Sequence, residues 1–246
     1  MLILRRGLCV AWILPAGLYA SDALAQSPGN FVRTGDMSSP RYGHRAVLLQ
    51  NGQVLITGGN HSGSAELFDP KSGTFFHAGG MSTPRYYPAV TLLQDGRVLV
   101  TGGMTSLAYG NSTVCCLATA EVFDPSTQSF TPTGSMFNAR SGHAATLLSN
   151  GKVLISDGSQ RPELYDPITG TFSLTGTGDE GLYGVTATLL NDGRVLMAGG
   201  DPVGGKASVY EPLTGKIRKL DFPGPSWLYD LTATLLANGN VLIAGG

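Results

Sequence analysis

The chain has 246 residues, of which 42% are hydrophobic and 13% are charged. A chain of this length and apolar content can bury a large core, which argues against intrinsic disorder. The formal net charge is −1, and the basic residues form no run that could follow a phosphate backbone, so nucleic acid is a poor candidate partner. The 35 glycines, combined with the low charge, favour a turn-rich all-β protein.

The first 25 residues differ in character from the rest of the chain. Arg5 and Arg6 precede an apolar stretch over residues 7–20, and Ala23-Leu24-Ala25 then offers small residues at positions 23 and 25 for a cleavage site. This order is typical of a secretory signal peptide, so residues 1–25 are predicted to be removed during export to a secreted or periplasmic location. A membrane anchor is the alternative, but the apolar run is shorter than the ~20 residues of a spanning helix. No membrane span is therefore expected after signal removal, and the export route stays open.

An internal repeat is the strongest pattern in the remaining chain. A leucine pair recurs five times, at Leu48-Leu49, Leu92-Leu93, Leu147-Leu148, Leu189-Leu190 and Leu235-Leu236. Ten residues after the first leucine comes a glycine pair or its variant, at Gly58-Gly59, Gly102-Gly103, Asp157-Gly158, Gly199-Gly200 and Gly245-Gly246. The constant spacing predicts one structural unit per repeat.

A two-residue turn signal lies between each leucine pair and its glycine pair. It reads Asn-Gly or Asp-Gly in every repeat, at positions 51–52, 95–96, 150–151, 192–193 and 238–239. Such dipeptides suit the type I′ turn, so five β-hairpins are predicted. The flanking apolar runs, such as residues 54–56 and 98–100, are continuous rather than alternating, which indicates strands that are covered on both faces.

A second pattern completes each unit. An aromatic residue before an acidic residue and proline recurs at residues 68, 123, 165 and 210, and an apolar residue follows it seven positions later at Phe75, Phe130, Phe172 and Ile217. Each repeat thus supplies four strands, a, b, c and d. Sheets of this kind cannot cover both of their own faces, but radially arranged sheets cover one another, as in a β-propeller.

The repeat resembles the Kelch motif, especially that of secreted bacterial Kelch proteins and of the central domain of galactose oxidase. The resemblance covers Phe31 to Gly246 and implies an all-β, Kelch-type β-propeller of four-stranded antiparallel blades, forming one domain over residues 26–246 with five repeat units. Two features depart from the motif. The second aromatic is usually tryptophan but is phenylalanine or isoleucine here, and one glycine pair is Asp157-Gly158.

The fifth unit is expected to be incomplete, because only its strands a and b precede Gly246. Residues 29–34 match strand d of the later units and would be expected to join a final blade supplied mostly by the C-terminus. Two alternatives follow: the sequence belongs to a longer protein with more blades, which is favoured, or an irregular ring of five units closes imperfectly.

Strand alternation predicts where a binding site lies. The b-to-c and d-to-a connections share one face and are long and varied, which is typical of recognition loops. Eight residues of this face are candidate ligand contacts: Trp227, Tyr229, Tyr183, Tyr109, Arg85, Tyr86, Arg41 and His61. Aromatic side chains suit sugars or peptide side chains. The arginines recur in register, as do His44 and His143, so a structural role is the alternative for them.

The preferred functional interpretation is an exported scaffold that binds an unidentified protein or glycan. The alternative is the propeller portion of an enzyme that resembles galactose oxidase or a sugar epimerase. The sequence contains four histidines, none in the tyrosine-histidine pairing of the oxidase copper site, and no paired carboxylates are evident. No catalytic residue, metal ligand or cofactor is therefore predicted. The neighbours Cys115 and Cys116 could form a vicinal disulfide.

Export should remove residues 1–25, because the charged, apolar and small-residue segments stand in the order that signal peptidase requires. N-terminal sequencing of protein recovered outside the cytoplasm should begin at Gln26 or within a few residues of it. An intact Met1 on that exported protein would contradict the prediction.

Overall fold

The structure is a computed structural model that describes residues 33–105, 116–177, 183–201, 204–220 and 231–245. The chain divides into two compact units, Met1–Thr34 and Gly35–Gly246, and the second contains every strand described below. The predicted signal peptide and residues 29–32 of the strand predicted over 29–34 lie outside the described residues, and Arg33 and Thr34 are in no strand.

The described strands form four complete four-stranded sheets and one two-stranded sheet, all antiparallel. The first sheet contains β1 (Arg45–Leu48), β2 (Val54–Thr57), β3 (Ser64–Asp69) and β4 (Thr74–Gly80). The second contains β5 (Ala89–Leu92), β6 (Val98–Thr101), β7 (Ala120–Asp124) and β8 (Ser129–Pro132). The third contains β9 (Ala144–Leu147), β10 (Val153–Ser156), β11 (Glu163–Asp166) and β12 (Thr171–Leu174). The fourth contains β13 (Tyr183–Leu189), β14 (Val195–Asp201), β15 (Gly204–Glu211) and β16 (Lys216–Leu220).

The fifth sheet pairs β17 (Thr232–Leu235) with β18 (Val241–Ala244). Each complete sheet follows the order a, b, c, d, and each strand pairs with its neighbour in sequence. This order confirms the predicted four-stranded antiparallel units, with a fifth unit that has two described strands.

The a-to-b hairpins form at the predicted positions, but the predicted turn type is wrong. A type I′ turn needs left-handed backbone at both central residues. In the first hairpin Gly52 has a φ of +86°, but Asn51 is not in the left-handed region. The loop instead contains three residues, because Leu49 N–H donates to Gln53 O and Gly52 N–H donates to Leu49 O.

The asparagine or aspartate of this loop acts through its side chain, whereas its backbone was predicted to be left-handed. Asn51 Oδ1 accepts a hydrogen bond from Gln53 N–H at 3.0 Å, and Asp95 Oδ1 accepts one from Arg97 N–H at 3.0 Å. The third, fourth and fifth hairpins repeat this contact. A short polar side chain that bonds the backbone two residues on closes the loop, and the following glycine supplies the left-handed residue.

The hydrophobic core lies between successive sheets. One cluster joins Leu55 and Leu67 of the first sheet to Val98 and Phe123 of the second. A second cluster joins the second and third sheets through Leu99 and Ile155, and a third cluster continues into the fourth sheet. The second and third sheets therefore use both faces for burial, as the continuous apolar runs indicate.

Hydroxyl groups connect the a strands of successive sheets. Thr91 Oγ1 donates to Ala145 O at 2.8 Å, and Thr146 Oγ1 donates to Ala187 O at 3.2 Å. Thr188 Oγ1 repeats the contact to Ala233 O at 3.4 Å. Because β1 contacts β5, β5 contacts β9, and β9 contacts β13, these strands lie side by side as the innermost strands of propeller blades do.

Three sheets contain a buried ion pair between the d-to-a connection and strand c. Arg41 Nη2 lies 3.1 Å from Glu66 Oε2, and Arg85 Nη2 lies 3.1 Å from Glu121 Oε1. All four side chains are at most 2% exposed. Each guanidinium also donates to two carbonyl oxygens, at Gly58 and Ser64 in the first sheet and at Gly102 and Thr119 in the second.

The third sheet repeats the pair and adds a second carboxylate. Arg140 Nη2 lies 3.3 Å from Glu163 Oε1, and its Nη1 lies 2.8 Å from Asp157 Oδ1. Asp157 is the residue that departs from the glycine pair of the repeat. It occupies the position of Gly58, whose carbonyl oxygen accepts a bond from Arg41 Nη1 in the first sheet. The departure thus gives Arg140 a second counter-ion near the place where the other arginines use a carbonyl.

The fourth repeat lacks both partners of the ion pair. Ser208 stands in β15 where the first three repeats have glutamate, and Leu182 stands where they have arginine. Ser208 Oγ is buried and has no hydrogen-bond partner among the described residues. Each of the first four repeats therefore has either both the arginine and the glutamate or neither of them.

Replacing Arg85 with leucine should cost about 3–5 kcal/mol of unfolding free energy, because the Glu121 carboxylate would stay buried without its cation. The double variant Arg85→Leu/Glu121→Ser copies the fourth repeat and should recover a large part of the loss. Urea titration measures both values. Arg97→Met, which breaks the exposed pair with Asp95, is the matched control and should cost about 0–1 kcal/mol. A double variant no more stable than Arg85→Leu would contradict the pairing argument.

Candidate functional site

The antiparallel order of the strands assigns the connections to two faces. We call the face with the b-to-c and d-to-a connections the loop face, and the face with the a-to-b and c-to-d turns the turn face. Backbone hydrogen bonds join the two kinds of loop-face connection: Tyr42 N–H donates to Gly59 O, and Tyr86 N–H donates to Met104 O, each at 2.8 Å. The described candidate residues Arg41, Arg85, Tyr86 and His61 all come from these connections.

Arg41 and Arg85 are placed inside the protein rather than on the loop face. Their side chains are at most 1% exposed, and both belong to the buried ion pairs of the blades. Burial lowers the pKa of Arg85, and its contact with Glu121 acts in the opposite direction. Both arginines therefore hold the d-to-a connections in place, which is the structural alternative of the sequence analysis.

Two tyrosines from neighbouring repeats meet on the loop face. The ring centroids of Tyr42 and Tyr87 lie 5.6 Å apart, with the ring planes at 81° in an edge-to-face arrangement. Tyr42 is 55% exposed, and Tyr87 is half-buried. The Tyr87 ring covers Gly43, where an added Cβ would lie 2.9 Å from the ring. The pair therefore forms a corner of two aromatic surfaces that is open to solvent on the Tyr42 side.

Tyr87 has a backbone conformation that side chains rarely adopt. Its φ is +51°, and the equivalent position five residues before the leucine pair holds glycine in the first, third and fourth repeats, at Gly43, Gly142 and Gly184, and aspartate in the fifth, at Asp230. Those glycines have φ values of +65°, +63° and +59°. A non-glycine residue in the left-handed region costs about 1–2 kcal/mol. The second repeat thus places a large aromatic residue where the fold favours glycine.

His61 and Tyr86 form a second aromatic contact on the same face. Their ring centroids lie 5.6 Å apart at an interplanar angle of 72°. Tyr86 is 3% exposed, whereas His61 is exposed. Tyr86 therefore supports the site from below, and His61 is the member of this pair that a ligand can reach.

His143 is buried beside the innermost strands and stays neutral at physiological pH. Its Nε2 lies 2.7 Å from Thr101 Oγ1, so it links the third repeat to the second. Burial lowers the pKa of His143 to about 3, and the nearby positive charges of Arg140 and Arg45 act in the same direction. Because the unfolded chain would take up a proton near pH 6.5, this histidine opposes folding increasingly as the pH falls from about 6.5 towards 3.

Several candidate residues lie outside the described residues, namely Trp227, Tyr229, Tyr109 and Cys115. Their roles stay predictions. Tyr183 begins β13, where its backbone pairs with Gly200. Cys116 Sγ lies 3.5 Å from Ser141 Oγ, and the vicinal disulfide with Cys115 stays a prediction. Sequence reasoning gave Tyr42 and Tyr87 no special weight, although the replacement of a repeated glycine by tyrosine was a visible signal.

The turn face carries two grooves that the sequence did not predict. The first has a volume of about 430 Å³ and lies between the a-to-b hairpin loops of the first two sheets, against the turn at Asp124. The second has a volume of about 610 Å³ and lies between the corresponding loops of the third and fourth sheets, against Leu213. Equivalent turns line both grooves, so the repeat itself generates them. Ile168 and Leu213, at equivalent turn positions, are 93% and 101% exposed.

The described residues contain no group of three or more histidine, cysteine, aspartate or glutamate side chains placed to hold a metal ion. The same part of the chain has no helix long and apolar enough to cross a membrane.

Comparison with known proteins agrees with this architecture. Residues 85–137 match the family model of the Kelch motif. No curated protein matches the chain. The solved structure of YjhT is similar, with a TM-score of 0.65 and 16% sequence identity, over 87% of this chain and 75% of that chain. At this identity the likeness shows the fold alone. The motif and the fold together show a Kelch-repeat β-propeller, whereas the resemblance to galactose oxidase stays an expectation from the sequence.

The strain at Tyr87 can be measured by comparing two truncations. Tyr87→Gly and Tyr87→Ala both remove the ring, but only glycine relieves the left-handed backbone. Tyr87→Gly should therefore be more stable than Tyr87→Ala by about 1 kcal/mol in urea titrations, the reverse of the usual order. At Thr91, in strand β5, the same two substitutions should follow the usual order with alanine more stable. An alanine variant at position 87 as stable as the glycine variant would contradict the assignment of strain.

Proposed function

We propose that this Kelch-type propeller is an exported binding protein that recognises a protein or carbohydrate partner through its loop face. The observation that carries the proposal is Tyr87, an aromatic side chain held in a backbone conformation that the first, third and fourth repeats give to glycine. Strained residues persist where the surrounding structure holds them, and they concentrate at functional sites. In this proposal, the free-energy cost of the strained backbone at Tyr87 is offset by contact with a partner, which the repeat itself does not require.

The surroundings of Tyr87 are suited to recognition. Tyr42 is more than half exposed and meets Tyr87 edge to face, and His61 is exposed beside Tyr86. Aromatic side chains offer a large contact area at a low conformational entropy cost, which makes them frequent anchors in interfaces. The buried arginine–glutamate pairs fix the connections that carry these rings, so the aromatic side chains are already positioned in the unbound protein.

Strand alternation assigns four further candidates to the same face as an inference from the repeat. Trp227, Tyr229 and Tyr109 come from d-to-a or b-to-c connections, Tyr183 begins β13 directly after one, and none of the four is required by the repeat pattern. They would add to the aromatic surface that Tyr42 and Tyr87 form on this face. Export by the predicted signal peptide would expose the site to extracellular or periplasmic partners.

A screen of the secreted protein against a glycan array and against proteins of its own extracellular or periplasmic fraction would identify a partner. Tyr42→Ala and Trp227→Ala should each weaken the binding about tenfold or more, because an aromatic anchor typically contributes about 2 kcal/mol. Titration calorimetry of each variant with the identified partner measures the change.

Turn-face variants provide the matched control. Lys71→Ala and Ile168→Ser change exposed c-to-d turn residues of the first and third sheets and should leave binding unchanged. If they abolish binding while Tyr42→Ala and Trp227→Ala bind like the wild type, the partner uses the turn face and the proposal is wrong.

A further inference from the structure

Arg45 is a charge that the repeat does not need. It is the first residue of β1, three positions before the leucine pair, and the other repeats have small neutral residues there, at Ala89, Ala144, Thr186 and Thr232. Ala89 is 4% exposed, so the position lies close to the packed interior. Charged side chains are rare at such positions unless a partner compensates the charge.

Arg45 differs in its partners from the three arginines that recur in the d-to-a connections. Arg41, Arg85 and Arg140 each contact at least one buried carboxylate. Arg45 Nη1 donates to His44 O at 3.2 Å, and no carboxylate lies within ion-pair distance of it in the part of the chain that the structure describes. The residue is half-buried, and its unbonded guanidinium nitrogens are not among the buried polar atoms. It thus keeps donors available to solvent.

The nearby charges leave Arg45 as a local source of positive potential. Arg140 is neutralised by Asp157 and Glu163. His143 is neutral. The positive charge of Arg45, in the first repeat, helps to lower the pKa of His143, in the third repeat. A partly desolvated cation without a counter-ion attracts an anion more strongly than an exposed one does.

We infer that Arg45 and the corner formed by Tyr42 and Tyr87 make a binding site for a carboxylate attached to an apolar body. The carboxylate would accept two parallel hydrogen bonds from the Arg45 guanidinium, the geometry that arginine favours. The apolar body would pack against the exposed face of Tyr42, three residues before Arg45 in the chain. This inference deepens the proposed function and rests on it.

Benzoate and benzamide are suitable probes, because they have the same ring and differ in charge. Chemical-shift titration of the isotope-labelled full chain should show benzoate binding on the order of millimolar, at least tenfold tighter than benzamide. Arg45→Met should reduce benzoate affinity about tenfold and leave benzamide unchanged, since a hydrogen-bonded charge contributes roughly that factor. Arg97→Met, which removes an exposed turn-face arginine, should change neither probe.

Further variants separate the possible failures. Arg45→Lys keeps the charge but not the fork, and should retain part of the benzoate affinity if Arg45→Met folds poorly. Equal binding of benzoate and benzamide to the wild type, or benzoate affinity unchanged by both Arg45 substitutions, would overturn the inference. If Tyr42→Ala still weakens the identified partner in that case, the proposed function stands without the carboxylate site.

The source of the carboxylate is tested in two further arms. An acidic peptide and a uronic acid oligosaccharide are titrated separately into the wild type and into Arg45→Met. The ligand that loses affinity in the variant, and that loses it further at high salt, identifies the source. If neither arm shows a dependence on Arg45, the carboxylate site is wrong.

Discussion

A four-stranded sheet with apolar side chains on both faces is stable only when another sheet covers each face. Every core cluster described here lies between two successive sheets. Leu48 shows the consequence, because it is 62% exposed in the first sheet, whereas its equivalents Leu92 and Leu147 are half-buried behind a preceding sheet. Burial between neighbours therefore sets the architecture, and it leaves the connections on the loop face free to vary.

The arginine–glutamate pairs add a second constraint that is separate from the core. Desolvating two charges is costly, so such a pair is weak support for stability in itself. The fourth repeat keeps its four strands with leucine and serine in place of the pair, which shows that the blade forms without it. What the pair supplies is position: each guanidinium binds strand c and the carbonyls of the b-to-c connection together. It thereby fixes the d-to-a segment from which Tyr42, Arg45 and Tyr87 arise.

The sequence was sufficient for the strands, their order and the faces of their connections, because these depend on local spacing and on alternation. It misled on the hairpin turn, since Asn-Gly suits both a two-residue and a three-residue loop, and the two are distinguished by the backbone conformation of Asn51 and by the backbone hydrogen bond from Leu49 N–H to Gln53 O. The role of Arg85 could not be decided from its own recurrence. Its partner Glu121 lies 36 residues away, and their joint loss in the fourth repeat was the only available signal. The grooves of the turn face depend on side-chain placement, as where Gln50 covers Gly96, and no pattern encodes that.

Within a repeat protein, the equivalent positions serve as an internal control for each residue. Asp157 departs from the glycine pair, and its contact with Arg140 accounts for the departure in structural terms. Tyr87 and Arg45 also depart from their equivalents, but the first strains the backbone and the second introduces a charge without a carboxylate partner among the described residues. Both lie on the face where the connections vary, and they are the two departures on which the proposed ligand binding rests.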